Sequence, residues 1–196
     1  MVKFKINSGK LKIKKKITAL DKFVLETVGI VSKYAEYAII GGYVSIFFGR
    51  ARSTEDVDIF IKKTNFNEFS KMAGEFNSKG FEFHIDDKKS LYFDYLAKRL
   101  PINVWRKNFP LLRLEIKIAF KKSQLEAFSN PVTVSFGGKK LTFAQIESQI
   151  AYKRYILKSE KDLEDARHLE LVFKGISSKL IQRYKKEFEH ELQHGK

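Results

Sequence analysis

The stretch YAIIGGYVSIFFGRARSTEDVDIFIKK, residues Tyr37 to Lys63, restricts the possible folds of this chain more than any other segment. YAII reads as a buried strand that stops at Gly41-Gly42, YVSIFFG as a brief apolar helix, and DVDIFIK as a second strand. On that second strand Asp56 and Asp58 project from one face, while Val57, Ile59 and Ile61 take the other face into a core. Two adjacent carboxylates repel each other, a cost normally offset by a cation. Hard oxygen donors suit Mg²⁺, which takes one or two carboxylates together with substrate phosphates. Gly41 and Gly42 close a strand and open a helix, so the backbone there can approach a ligand closely and offer N–H groups to phosphate. Each feature also has a structural alternative. The acids could be a solvated pair on an edge strand, and the glycines a tight turn that needs positive φ.

The rest of the chain reads as a mixed α/β half to about residue 143, followed by an all-helical tail. ALDKFVLETVGIVSKYA (19–35) places Leu20, Val24, Val28 and Val31 at helical spacing. NFNEFSKMAGEFNSKG is a helix ended by Gly80 and followed by the strand FEFHI. SLYFDYLAKRL reads as helical up to Pro101, LRLEIKIAF (112–120) as a strand, and VTVSFGGKKLTF as a hairpin turned at Gly137-Gly138. Helices near 144–157, 160–173 and 177–194 close the chain, the last with Leu180, Ile181, Tyr184, Phe188 and Leu192 along one face. No linker rich in proline or serine separates the halves. The expected division is a core with a basic N-terminal arm over 1–143 and a helical region packed on it over 144–196.

Charge narrows the partners. The net charge is +15, and Lys3, Lys5, Lys10, Lys12, Lys14, Lys15 and Lys16 lie in the first sixteen residues without a single acid. Such a surface attracts phosphate-rich partners through counterion release, so nucleotide or nucleic acid is the expected partner. The alternative is a solvated, lysine-rich surface. The absence of cysteine excludes disulfides and thiolate metal sites, and the four histidines show no H-E-x-x-H spacing, which argues against zinc. No apolar run is long enough to span a bilayer, so no membrane partner is expected, and the lack of cysteine makes a cytoplasmic address the expectation. Gly138-Lys139 lacks the spacing and the Ser/Thr of a P-loop.

The sequence of strand, Gly-Gly, short helix and Asp-hydrophobic-Asp strand resembles the polymerase β-like nucleotidyltransferase superfamily. Thirteen residues separate Gly42 from Asp56, within the spacing of that family's motif. The resemblance implies an α/β (α+β) nucleotidyltransferase fold, with a mixed sheet flanked by helices and a C-terminal helical region. It also implies Mg²⁺-dependent transfer of a nucleoside monophosphate from an NTP to a hydroxyl. Asp56 and Asp58 would be metal ligands and catalytic residues, and the superfamily draws a third carboxylate from a neighbouring strand. In LLRLEIKIAF, Leu114, Ile116 and Ile118 share one face, while Glu115 and Lys117 share the other. Glu115 therefore fits the third ligand, positioning or deprotonating the acceptor, and Lys117 could neutralise a phosphate or the acids. Most members carry Asp where this chain has Glu115. Gly41, Gly42 and Ser45 would serve the nucleotide.

A second resemblance lies in AQIESQIAYKRYILKSEKDLEDARHLELV and in GRARST (49–54), which look like elements of AbiEii-type toxin-like nucleotidyltransferases. It implies that Arg52, Lys153, Lys161 and Asp165 border the nucleotide site. The lysine-rich face would guide an RNA acceptor, tRNA included, with a protein acceptor as the alternative, and an enzyme that works as half of a toxin–antitoxin pair, with an antitoxin-like protein partner, is a third possibility. A structural account of the same residues has Ser159 capping a helix over Asp162 and Lys153 pairing with Asp165 between antiparallel helices. A catalytically silent basic binding module on the same scaffold is the rival from another class.

Overall fold

The computed structural model describes residues 3–7 and 10–194. Its strands are β1 (Lys3–Asn7), β2 (Lys10–Lys14), β3 (Tyr37–Ile40), β4 (Asp56–Ile61), β5 (Phe81–Phe83), β6 (Ile102–Arg106), β7 (Phe109–Ile118), β8 (Val132–Phe136) and β9 (Lys139–Phe143). Its helices are α1 (Ala19–Val31), α2 (Gly42–Phe47), α3 (Phe66–Ser78), α4 (Lys88–Ser90), α5 (Lys122–Leu125), α6 (Ile146–Ala151), α7 (Glu160–Val172) and α8 (Ser178–His194). The strands make one mixed sheet in the order β1-β2-β8-β9-β3-β4-β7-β6-β5.

The alternation of residues explains the centre of the sheet. β4 runs antiparallel to β3 and parallel to β7. The register pairs Val57 with Leu114, Ile59 with Ile116 and Ile61 with Ile118, and all six side chains are buried. The opposite face pairs Asp56 with Arg113, Asp58 with Glu115 and Phe60 with Lys117. One face of two central strands is thus wholly apolar and the other almost wholly charged. Only the first can join the main core.

Helix α1 begins at a capping box in which Thr18 and Asp21 satisfy each other's backbone N–H groups. The buried Asp21 also accepts hydrogen bonds from Lys15 (2.8 Å) and from the Tyr43 hydroxyl (2.8 Å), tying α1 to α2. Burial works to raise the Asp21 carboxyl, but Lys15, Thr18 and Tyr43 together hold it below the usual carboxylate range. The C-terminal helices pack on this core. α6 contacts α7 and α8, α2 contacts α7, and the buried Tyr184 hydroxyl donates to Gln145 Oε1 at 2.6 Å. Among the described residues, no helix is long and apolar enough to cross a membrane.

Several elements differ from the expectation. Helix α1 stops at Val31, where Tyr34 and Ala35 turn back onto the Val31 carbonyl before β3 begins. The 102–106 segment, which the sequence does not mark out, is strand β6, antiparallel to β7. Residues 88–98 are not one helix. After α4 the chain widens into a π-turn (Leu91–Tyr95), tightens into a 3₁₀ turn (Leu96–Lys98) and ends at Arg99 with φ 67. Likewise α6 continues as a π-helical stretch from Tyr152 to Leu157, closed by the Lys158 N–H on the Lys153 carbonyl. Within the basic N-terminal arm β1 pairs antiparallel with β2, and β2 adds in parallel to β8. The side chains of Lys3, Lys5, Lys10, Lys12 and Lys14 lie outside the described residues.

Candidate active site

Strand β3 ends at Ile40, directly beside Asp58 on β4. There the chain passes through Gly41 with φ 74 and ψ −148, a conformation essentially confined to glycine. The glycine is required for space as well, since a Cβ on Gly41 would lie 2.5 Å from Asp58 Oδ2. A Cβ on Gly42 would collide with the Arg52 guanidinium. The Gly-Gly turn is therefore shaped by the two groups it must admit, an aspartate and an arginine.

The three candidate acids lie on one face of β4 and β7 but point to different partners. Asp58 Oδ1 accepts from Lys117 Nζ at 3.3 Å, and Lys117 also forms an ion pair with Glu115. Asp56 is the most exposed of the three and accepts from Arg113 Nε at 2.8 Å. Burial pushes the Asp58 carboxyl up to about 6, because Lys117 only partly offsets the lost hydration and the Glu115 charge beside it. Burial acts on Glu115 in the same direction, but its bonds with Lys117 and Asp58 hold it below the usual range. Lys117 is partly buried between the two acids, and their charges raise it above its ordinary value against the pull of desolvation.

As a donor set for a hard divalent cation, two carboxylates opposite each other and a third two residues away have suitable chemistry. Each is engaged by a cationic side chain, however, and among the described residues no three acids or histidines converge as a ready cage.

A second charged cluster centres on Asp165, which is fully buried on α7. It receives Arg52 through Nε (3.1 Å) and Nη2 (3.0 Å), Lys153 Nζ at 2.8 Å, and Arg50 Nη1. Burial would raise the Asp165 carboxyl, but Lys153, Arg52 and Arg50 hold it low. Lys153 also reaches Asp162 at 3.2 Å, and Ser159 caps α7 over Asp162. The pairing anticipated by the structural account of this tail is therefore present. It also reaches the Gly-Gly turn, because the arginine that Asp165 orients is the one packed against Gly42. Lys161 contributes its carbonyl to Arg50 (2.7 Å), and the residue itself is exposed. Ser45 is buried on α2, and its hydroxyl has no hydrogen-bond partner among the described residues.

A cavity of about 450 Å³ adjoins Asp58 and is lined also by Gly41 and Lys117. Tyr152, Ile156, Phe188 and Leu192 from the C-terminal helices line it too, as do Lys153 and Glu191. Two residues of this region escaped the sequence reading. Arg113 is two positions before Glu115, so the same strand alternation that selects Glu115 also selects it. Gln149, whose Oε1 accepts from the Gly41 N–H at 3.0 Å, carries no sequence signal of that role.

No protein-family model and no curated protein matches the chain. Solved structures do. ANT(2")-Ia in complex with adenylyl-2"-tobramycin aligns at a TM-score of 0.58 and 13% identity, over 89% of this chain and 99% of that one. The lincosamide antibiotic adenylyltransferase LnuA, lincomycin-bound, aligns at 0.52 and 12%, over 81% and 100%. An antigenic nucleotidyltransferase-like protein from Paracoccidioides brasiliensis aligns at 0.52 and 16%, over 90% and 88%. At these identities the likeness is one of fold. The chain has the nucleotidyltransferase fold.

Proposed function

We propose that this protein is a divalent-cation-dependent nucleotidyltransferase that moves a nucleoside monophosphate from an NTP to a hydroxyl acceptor. One conjunction carries the reading. A turn whose Gly41 holds a backbone conformation essentially confined to glycine lies against Asp58, which faces Glu115 across β4 and β7, while Arg52 is packed against Gly42. Asp56, Asp58 and Glu115 would hold Mg²⁺, which when bound neutralises the phosphates and stabilises the charge that develops in transfer.

The remaining roles belong to the chain. The Gly41 and Gly42 backbone and Arg52 receive the triphosphate, with Asp165 orienting Arg52 and Lys153 neutralising Asp165. Ser45 adds a hydroxyl to the same helix. Lys161 supports Arg50 through its carbonyl at the rim. The acceptor oxygen bonds to the α-phosphorus as the bond from that phosphorus to the bridging oxygen breaks, and pyrophosphate leaves. Glu115, held ionised, orients the acceptor hydroxyl and takes its proton.

The cavity supports a small acceptor. Its volume lies in the range of small-molecule sites, and its lining is mostly apolar. Two of the neighbouring structures are likewise small-molecule complexes, one with adenylyl-2"-tobramycin and one with lincomycin. The net charge of +15 favours a second reading, in which RNA, tRNA included, is the acceptor. The finer placement in the AbiEii-type branch, with an antitoxin-like partner, rests on residues 49–54 and 144–172, which meet at Asp165.

Incubation with each α-labelled NTP and Mg²⁺, offered either total RNA or a panel of hydroxyl-bearing small molecules, tests the proposal. Label should move to one class of acceptor. Transfer to neither, with a folded protein and all four NTPs, returns the chain to the silent-scaffold reading.

A further inference from the structure

We infer that the Lys117 ammonium occupies the place of a divalent cation between Asp58 and Glu115, so that metal and the Lys117 pairing exclude each other. This inference rests on the metal-dependent reading above. Asp58 and Glu115 are direct partners in the parallel β4–β7 register, and like charges placed so are mutually destabilising. Something cationic must therefore lie between them whenever both are ionised. Lys117 is two residues beyond Glu115 on the same face, and its Nζ contacts both acids. A metal ion could not share that space with an ammonium, for reasons of both sterics and charge.

The adjoining pair shows the same arrangement, with Asp56 held by Arg113. On this face three carboxylates alternate with two cationic side chains, which explains why no acid trio converges although all three point from the same side. Lys117 also borders the cavity that begins at Gly41. Its flexible stem can therefore carry the displaced ammonium from the carboxylates toward phosphates bound beside the Gly-Gly turn. Arrival of metal with nucleotide would exchange one pairing for another, and the metal-free protein would keep a neutralised, closed carboxylate pair.

Mn²⁺ binding to the full chain, followed by the loss of the free-ion electron paramagnetic resonance signal, tests this together with metal-free melting. Lys117→Met and the more polar Lys117→Gln should bind Mn²⁺ about tenfold or more tightly than the wild type, since one positive charge a few ångströms away is gone. Both should melt at lower temperature without metal and recover with it. Lys117→Arg, which keeps the charge, should bind as weakly as the wild type, and Asp58→Asn should lose binding. If both neutral Lys117 variants bind Mn²⁺ no better than the wild type while Asp58→Asn still abolishes binding, the competition is overturned and the metal reading stands. If no form binds Mn²⁺ in a manner that depends on Asp58, the metal reading fails and takes the inference with it.

Discussion

Burial of Asp58 beside Glu115 gives the site a distinct pH signature. The carboxyl is raised from 3.8 to about 6, so the folded protein binds this proton more tightly than the unfolded chain. Its contribution to stability is complete below about pH 4 and is lost as pH rises to about 6. Two pKa units correspond to about 3 kcal/mol at most, and partial solvation reduces this to about 1–2 kcal/mol. Metal-free Asp58→Asn should therefore match the wild type near pH 4 and exceed it in stability above pH 6. Melting both proteins across pH 4–8 checks the crossover, and a constant difference would contradict it. Gly41→Ala tests the turn itself. With φ at 74 and a Cβ 2.5 Å from Asp58 Oδ2, it should lose roughly 2 kcal/mol in urea denaturation and displace Asp58.

Between elements, Asp165 holds α7, the π-helical stretch after α6 and the loop before β4 together. Asp165→Asn leaves the buried Lys153 with only Asp162 as a charged partner and takes away the carboxylate that Arg52 pairs with, while Arg50 keeps Glu164, so it should cost about 3–5 kcal/mol by chemical denaturation. Because the Asp165 carboxyl is held low in the folded protein, its stabilisation is present above pH 4 and disappears as pH falls below that. The wild type should lose this contribution in acid, and the variant has none to lose. The amphipathic stripe of the tail made part of this legible, since Lys153 among Ile146 and Ile150 had to meet an anion. Which anion it met depended on how α7 folds back, and residue spacing does not encode that. The central strands were legible for a simpler reason, because the alternation in DVDIFI and LRLEIKI leaves only one possible buried face. Strand β6 was not, because its hairpin to β7 turns at Lys107-Asn108, with Asn108 at φ 61 and no glycine to signal it. The π-turns at 91–95 and 152–157 differ from an α-helix in the register of their backbone hydrogen bonds, which the spacing of apolar residues does not mark.

At the scale of the molecule, a cavity lies between the charged face of the sheet and the C-terminal helices, and the surface is strongly basic. If RNA is the acceptor, its affinity should fall steeply with salt, and deleting residues 1–14, which spares the Lys15–Asp21 pair, should flatten that slope. An unchanged slope would assign those lysines to solvent and favour the small acceptor. The Asp58 face either performs chemistry or only stabilises the fold. The most direct measurement is pyrophosphate release by Asp58→Asn, in the presence of Mg²⁺, NTP and the identified acceptor, alongside its metal-free melting temperature at pH 7.5. The account predicts a protein that melts higher than the wild type and releases no pyrophosphate above background. A variant that melts lower than the wild type and releases pyrophosphate at the wild-type rate would contradict it.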